Sequence, residues 1–244
     1  MISKQQQKYV QSLHNKKYRN EFKKFLVEGE KGILELVGSD FEIEKIYCTE
    51  DLGNKLHTIN PQVRFELAKE NEIEQISTLR TNKGGVAIVN QKSGNLSYNT
   101  KKLTLVLDDI KDPGNLGTII RLADWYGVSD IICSPETVEF YNPKVIMATM
   151  GSFSRVSCHY ISLVEYFKNN TLPVYGAFLE GENVHVANKT LPGILVIGSE
   201  SHGIGAEIET YISQKLTIPR LGHAESLNAG VATGILLDNF FRDR

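Results

Sequence analysis

Three short stretches in the second half of the chain set glycines and a few polar side chains directly after apolar runs. The first is Asp112-Pro113-Gly114-Asn115-Leu116-Gly117-Thr118-Ile119-Ile120-Arg121. Pro113-Gly114 turns the chain into a helix that opens around Asn115, which puts Asn115 near an N-cap. Arg121 follows two isoleucines, and an arginine on a partly buried helix needs a partner or a task. The task could be a structural salt bridge, or stabilising negative charge that develops on an oxygen. The second stretch, Ile197-Gly198-Ser199-Glu200-Ser201-His202-Gly203-Ile204-Gly205, ends a buried strand in glycine and follows it with a carboxylate. It reads either as a tight strand-to-helix turn or as a loop whose exposed backbone can read a flat ligand. The third runs from Ile218-Pro219 to Ser226-Leu227-Asn228. Pro219 ends a strand, and Ser226 can cap the helix after it. That helix begins Ala229-Gly230-Val231-Ala232-Thr233-Gly234, and each glycine costs roughly 1 kcal/mol relative to alanine. A ligand, a neighbouring helix or a second subunit would each account for such close approach.

The elements around these stretches alternate. Continuous apolar runs at 103–107, 130–133 and 194–197 predict strands buried on both faces. Further strands are expected at 155–158, 174–179 and 215–218, with helices at 116–126, 143–150, 163–168, from Ala206, and from Ser226 to about Phe241. That order predicts an α/β fold with a mainly parallel sheet flanked by helices. Residues 1–91 show a smaller alternation, with strands at 25–28, 44–48, 63–67 and 85–89, and read as a separate small α/β domain. A polar, aperiodic linker is expected over 92–101 and the main domain over 102–244.

Composition excludes several classes. With 41% hydrophobic and 23% charged residues in 244, the chain is that of a globular protein. No run is apolar for long enough to span a bilayer, and the N-terminus lacks the apolar core of a signal peptide, so no membrane partner is expected. Cys48, Cys133 and Cys158 form no CxxC pair and the six histidines are scattered, so no metal is expected and a reducing, cytoplasmic setting fits. Net charge is −2, yet the first 24 residues carry Lys4, Lys8, Lys16, Lys17, Arg19, Lys23 and Lys24 against Glu21 alone. With Tyr9, Tyr18 and Phe22 interleaved, this segment could hold phosphates and stack on bases, or form a solvated helical face.

In this order, the three stretches resemble the motifs of the SpoU (TrmH-type) branch of the SPOUT methyltransferases. The resemblance covers nearly the whole chain and is strongest over 104–240. It implies transfer of a methyl group from S-adenosylmethionine to a ribose 2′-hydroxyl of RNA. The family's catalytic asparagine and arginine fall on Asn115 and Arg121, its second-motif glutamate on Glu200, and its third-motif serine and asparagine on Ser226 and Asn228. Its cofactor contacts, made largely from backbone, fall on Gly198, Ile218 and Leu227. The resemblance further implies a deep trefoil knot, against the general rule of unknotted chains, and a homodimer with the active site assembled at the subunit interface. The pattern from Lys16 to Gly29 resembles the L30e-like substrate-binding domain often fused to this catalytic domain. That domain favours rRNA over tRNA as substrate.

Two positions depart from the family pattern. Gly198-Ser199-Glu200-Ser201 stands where Gly-Asn-Glu-Gly is usual, and Ala229-Gly230 replaces Val-Ser. Small residues and the assigned polar groups are kept, so the departures bear on substrate choice more than on reaction class. A ribose hydroxyl is a weak nucleophile until its proton is drawn off. The family commonly casts Arg121 as the base, but a guanidinium stays protonated at neutral pH, which favours a cation that orients the hydroxyl and stabilises its developing charge. A Rossmann-type methyltransferase would show a glycine-rich loop after its first strand, and no GxGxG occurs here. A tRNA 2′-O-methyltransferase and a catalytically silent RNA-binding protein of the same fold are the alternatives.

Overall fold

The computed structural model describes residues 1–92 and 103–242, so the expected linker lies, from residue 93 onward, outside the described residues. In chain order the elements before that point are α1 (Lys4–Ser12), α2 (Lys16–Phe22), β1 (Lys24–Glu28), α3 (Glu30–Val37), β2 (Ile43–Cys48), α4 (Glu50–Ile59), β3 (Glu66–Leu67), α5 (Glu70–Ile76) and β4 (Gly85–Asn90). After it come β5 (Leu103–Asp108), α6 (Pro113–Trp125), β6 (Asp130–Cys133), α7 (Pro143–Ala148), β7 (Ser157–Tyr160) and α8 (Leu163–Lys168). β8 (Val174–Asn183), β9 (Gly193–Gly198), α9 (Ala206–Glu209), β10 (Gln214–Thr217) and α10 (Ala229–Phe241) complete the chain.

Two compact units result. The first joins residues 1–92 to Glu139–Ser154; the second holds 103–138 and 155–242. In the first, a four-stranded sheet of order β1-β4-β2-β3 is antiparallel except for its β2–β3 edge. Val10, Leu13, Leu26, Ile73, Val86 and Ile88 interdigitate beneath it. α1 starts at a capping box, in which Ser3 Oγ accepts from Gln6 N–H and Gln6 Oε1 accepts from Ser3 N–H. The segment 139–154 belongs to this unit through aromatic contacts: Phe25 lies 4.5 Å from Tyr141 and 6.2 Å from Phe153, centroid to centroid.

Arg19 does not behave as one more surface cation. It is 2% exposed, donates to the carbonyls of Leu13 and His14, and forms a bidentate pair with the Glu139 carboxylate at 3.1 and 3.0 Å. A buried guanidinium with its hydrogen bonds met is a structural fastener. The basic segment is therefore split. Arg19 holds α2 in place, while Lys4, Lys8, Lys16, Lys17 and Lys23 face solvent.

In the second unit all six strands run parallel, in the order β10-β8-β9-β5-β6-β7. Ile194, Leu195, Val196 and Ile197 are buried in succession, as a central parallel strand covered on both faces requires. Several boundaries move from their sequence-based positions. β7 begins at Ser157 rather than Arg155, and β3 is only two residues long. α7 stops at Ala148 rather than Met150, whose φ of 52° is outside the helical range. β8 runs on to Asn183, past the polar Glu180-Gly181-Glu182, because β10 continues to pair with it across a register shift at Lys215/Leu216.

α10 packs on α6, and this answers the question of the helical glycines. A Cβ on Gly230 would sit 2.9 Å from Thr118 Cγ2, closer than packed carbons tolerate. At Gly234 a Cβ would meet Leu122 at 3.4 Å, an ordinary contact. Of the three possible reasons for close approach, a neighbouring helix accounts for Gly230.

Candidate active site

Because the strands are parallel, the carboxyl ends of β5, β9 and β10 lie along one rim of the sheet, where open α/β sheets place their ligands. The three stretches meet there. Asp112 Oδ1 accepts from Asn115 N–H at 2.8 Å, so Asp112 is the N-cap of α6 and Asn115 lies one turn inside. Asn115 is thus near the cap, as its spacing implied, while the cap itself is Asp112: Pro113 fills the first turn, and the acidic side chain before it meets the free amides. Asn115 is thereby left with its amide group available. Its Nδ2 donates to Glu200 Oε1, and its Oδ1 accepts from Asn228 Nδ2 at 2.7 Å. Asn228 Oδ1 in turn accepts from Gly230 N–H at 3.0 Å and Val231 N–H at 3.2 Å, capping α10. Ser226, expected as that cap, lies two residues too early. It is exposed and makes no hydrogen bond among the described residues.

The loop carrying Glu200 is rigidly built. Ser199 and Gly203 exchange backbone hydrogen bonds at 3.0 and 2.9 Å, with Gly203 at φ 69°. A Cβ on Gly198 would meet the Gly203 carbonyl carbon at 2.1 Å, so only glycine fits there. The buried Ser199 Oγ accepts from His202 N–H at 3.2 Å. Behind the loop, Asp108 at the end of β5 accepts from Gly205 N–H at 2.8 Å. Burial pushes the Asp108 carboxyl above its ordinary range, and the negative charges of Asp109 and Glu136 add to that; the Gly205 N–H works against it. Asp108 and Ser199 are site-building residues that motif reading passed over. Asp108 had one legible signal, a carboxylate closing an otherwise apolar strand.

Ile218 and Leu227 bracket the segment between the end of β10 and the start of α10, outside both the sheet and helix ladders. Their backbone, with the half-buried Ile218 and the exposed Leu221 and Leu227 side chains, offers polar edges beside aliphatic surface. Open backbone of this kind beside aliphatic side chains can take both the polar edge and the face of a flat ligand.

Arg121 stands apart from the Asn228–Asn115–Glu200 chain. Of the two readings, a partner or a task, no partner is found: Arg121 is exposed, with no hydrogen bond or ion pair among the described residues. Six positions of helix carry it well off the Asn115 face. It lies instead one turn from Trp125, on the same side of α6, and Trp125 is 83% exposed.

A six-stranded parallel sheet whose rim joins an asparagine at the start of α6, a glutamate from the loop after β9 and an asparagine capping α10 is the architecture of the SPOUT-type methyltransferases. The chain belongs to the SpoU rRNA Methylase family, which matches residues 102–238, and residues 4–87 match the MRM3-like substrate binding domain. It is 28% identical over 231 residues to the 23S rRNA (guanosine(2553)-2′-O)-methyltransferase RlmP of Bacillus subtilis, covering 92% of this chain and 91% of that one. A TrmH-family protein of Porphyromonas gingivalis superposes over the full length of both chains with a TM-score of 0.89 at 33% identity. The AdoMet-bound rRNA methyltransferase of Sinorhizobium meliloti does so with a TM-score of 0.87 at 26% identity, over 100% of this chain and 97% of that one.

Proposed function

We propose that this protein is an S-adenosylmethionine-dependent RNA methyltransferase that methylates a ribose 2′-hydroxyl, with rRNA as its substrate. The observation that carries this reading is the hydrogen-bonded chain Asn228–Asn115–Glu200, which ties the three family motifs together at the rim of the sheet. Gly198, Ile218 and Leu227 would hold the cofactor through backbone and aliphatic contacts. When bound, S-adenosylmethionine supplies an electrophilic sulfonium methyl group.

This chain's own residues do the rest. Asn115, Glu200 and Asn228 fix the two loops against the start of α6, and the exposed Ser226 hydroxyl beside them is free to bond the ribose. Arg121 acts as a cation that orients the 2′-hydroxyl and stabilises charge developing on its oxygen, while the proton passes to an RNA phosphate or to water. Aligning the two reactants in line contributes much of the acceleration.

Arg121 serves this role from a second copy of the chain. It shares a face of α6 with Trp125, and Val231 on α10 is likewise 51% exposed. A homodimer burying these residues would bring Arg121 to the partner's rim. A trefoil knot in the catalytic domain belongs to the same reading, as do residues 1–91 as the substrate-binding domain, 102–244 as the catalytic domain, and a cytoplasmic location. No helix among the described residues is long and apolar enough to cross a membrane.

Tritium transfer from S-adenosylmethionine to total cellular RNA, followed by mapping of methylated riboses, tests the proposal. Label on rRNA riboses is expected. Label confined to tRNA would overturn the substrate, and absence of transfer from an enzyme that binds RNA would indicate a silent binding protein.

A further inference from the structure

The exposed side of α2 carries an arrangement that the catalytic reading does not use. Tyr18 and Phe22, one helical turn apart, stack with ring centroids 6.1 Å apart and planes inclined by 16°. Tyr9 of α1 meets Phe22 edge-on at 5.6 Å. Neither stacked ring is covered: Tyr18 is 37% and Phe22 40% exposed. Lys17 Nζ lies 5.5 Å from the Tyr18 centroid, within cation–π range. Lys8, Lys16, Lys17 and Lys23 are exposed and form no ion pair among the described residues.

The pair leaves two adjoining aromatic edges open to solvent beside lysines that form no ion pair among the described residues. The support beneath it is stiff. Asn15 caps α2 through Lys17 N–H at 2.9 Å, and the buried Arg19 clamps the helix to the carbonyls of Leu13 and His14 and to Glu139. The rings are therefore presented on a fixed element rather than a loose tail.

We propose that Tyr18 and Phe22 form a stacking platform for an unpaired nucleobase of the substrate RNA, with Lys16, Lys17 and Lys23 receiving the flanking phosphates. This deepens the RNA-methyltransferase reading and rests on it. Single-stranded RNA fits the surface better than a duplex, because every free base offers a π-face, whereas bases in an A-form helix are already stacked and out of reach. Phosphates supply the negative charge that the lysines leave unmatched. An acidic protein segment is the competing occupant.

The test uses the full-length protein with two fluorescently labelled probes, a short oligoadenylate and a blunt RNA duplex of equal length. Combining Tyr18→Ala with Phe22→Ala should weaken oligoadenylate binding by about tenfold or more, the scale of losing a stacked base. Duplex binding and S-adenosylmethionine affinity should hold, while thermal stability falls modestly with the lost ring contacts to Tyr9. Tyr18→Phe should bind like the parent, since the ring and not the hydroxyl is used. Unchanged oligoadenylate affinity in the double variant, or equal losses for both probes, overturns the platform. Methyl transfer to total RNA by the unaltered protein is read in parallel. Transfer alongside unchanged oligoadenylate affinity sinks the platform alone, whereas no transfer sinks the reading beneath it.

Discussion

Asn228 Nδ2 donates to Asn115 Oδ1 at 2.7 Å across 113 positions of sequence, while Asn228 Oδ1 caps α10. One amide thus does two separable jobs: its oxygen starts a helix and its nitrogen joins two motifs. Asn228→Ser keeps a capping oxygen but cannot reach Asn115, so thermal stability should stay near that of the parent while methyl transfer falls. Asn228→Ala loses both, and should also lose about 1 kcal/mol of stability. Thermal melts beside single-turnover transfer separate the roles; parental transfer by Asn228→Ser would remove the Asn115 link from the mechanism.

Arg121 is exposed and has no hydrogen bond or ion pair among the described residues. Arg121→Ala should therefore fold, melt and bind S-adenosylmethionine like the parent, yet transfer methyl groups at least ~100-fold more slowly, the scale of losing one transition-state donor. Arg121→Lys should not rescue it, because an ammonium lacks the planar fork. Mixing Arg121→Ala with a Glu200→Gln variant checks the two-copy site. Heterodimers in which one rim has both groups intact should regain part of the activity, and no recovery on mixing would place Arg121 and Glu200 in the same copy's site.

The two helical glycines should respond in opposite directions. Alanine gains about 1 kcal/mol of helix propensity at either position. At Gly230 the new methyl would press on Thr118 at 2.9 Å, and overpacking of that kind typically costs 1–3 kcal/mol. Gly230→Ala should therefore be neutral to destabilising, whereas Gly234→Ala, with Leu122 no nearer than 3.4 Å, should stabilise. Urea midpoints for the pair settle the matter, and stabilisation by both would mean that α6 and α10 are free to part.

Asp108 should leave a mark on the pH dependence of stability. Burial holds its proton to higher pH in the folded state than in the unfolded chain, whose value is near 3.8. In that window folding takes up a proton, so this group's contribution is full below about 3.8 and is lost as pH rises through the raised folded value. Asp108→Asn keeps an oxygen for Gly205 N–H and removes the ionisation. The stability of the variant relative to the parent should then improve as pH rises through the window. Urea denaturation at a series of pH values checks this, and a pH-independent difference would exonerate Asp108.

The turns that build the rim were legible in sequence because they depend on local spacing: a turn after a strand, a glycine where the backbone doubles back, a polar residue at a helix start. The α/β alternation was legible for the same reason, since strands buried on both faces read as unbroken apolar runs. What escaped depended on partners distant in the chain. Asn228 rather than Ser226 caps α10, two polar candidates lying two positions apart, and Asn228 is also the one that bonds Asn115, 113 positions away. The polar end of β8 is a strand only because β10 lies alongside. Arg121 looked half-buried from its apolar neighbours, but Ile119, Ile120 and Leu122 do not share its side of the helix. Nothing in local composition distinguishes Arg19 from the lysines around it; the carbonyls of Leu13 and His14 and the carboxylate of Glu139, 120 residues away, make it part of a core.

The pairing of Arg19 with Glu139, and of Phe25 with Tyr141 and Phe153, bears on how this protein can be cut and recombined. A boundary drawn near residue 101 is a boundary in sequence but not in packing. A fragment starting there would carry residues 139–154 without the surface that covers them, and would present bare aromatic rings and a stranded carboxylate to water. Grafting these 92 N-terminal residues onto another catalytic domain would fail for the complementary reason, since Arg19 would be buried with no anion opposite. A workable chimera has to exchange two non-contiguous pieces at once, so the segment 139–154 must travel with the module it covers.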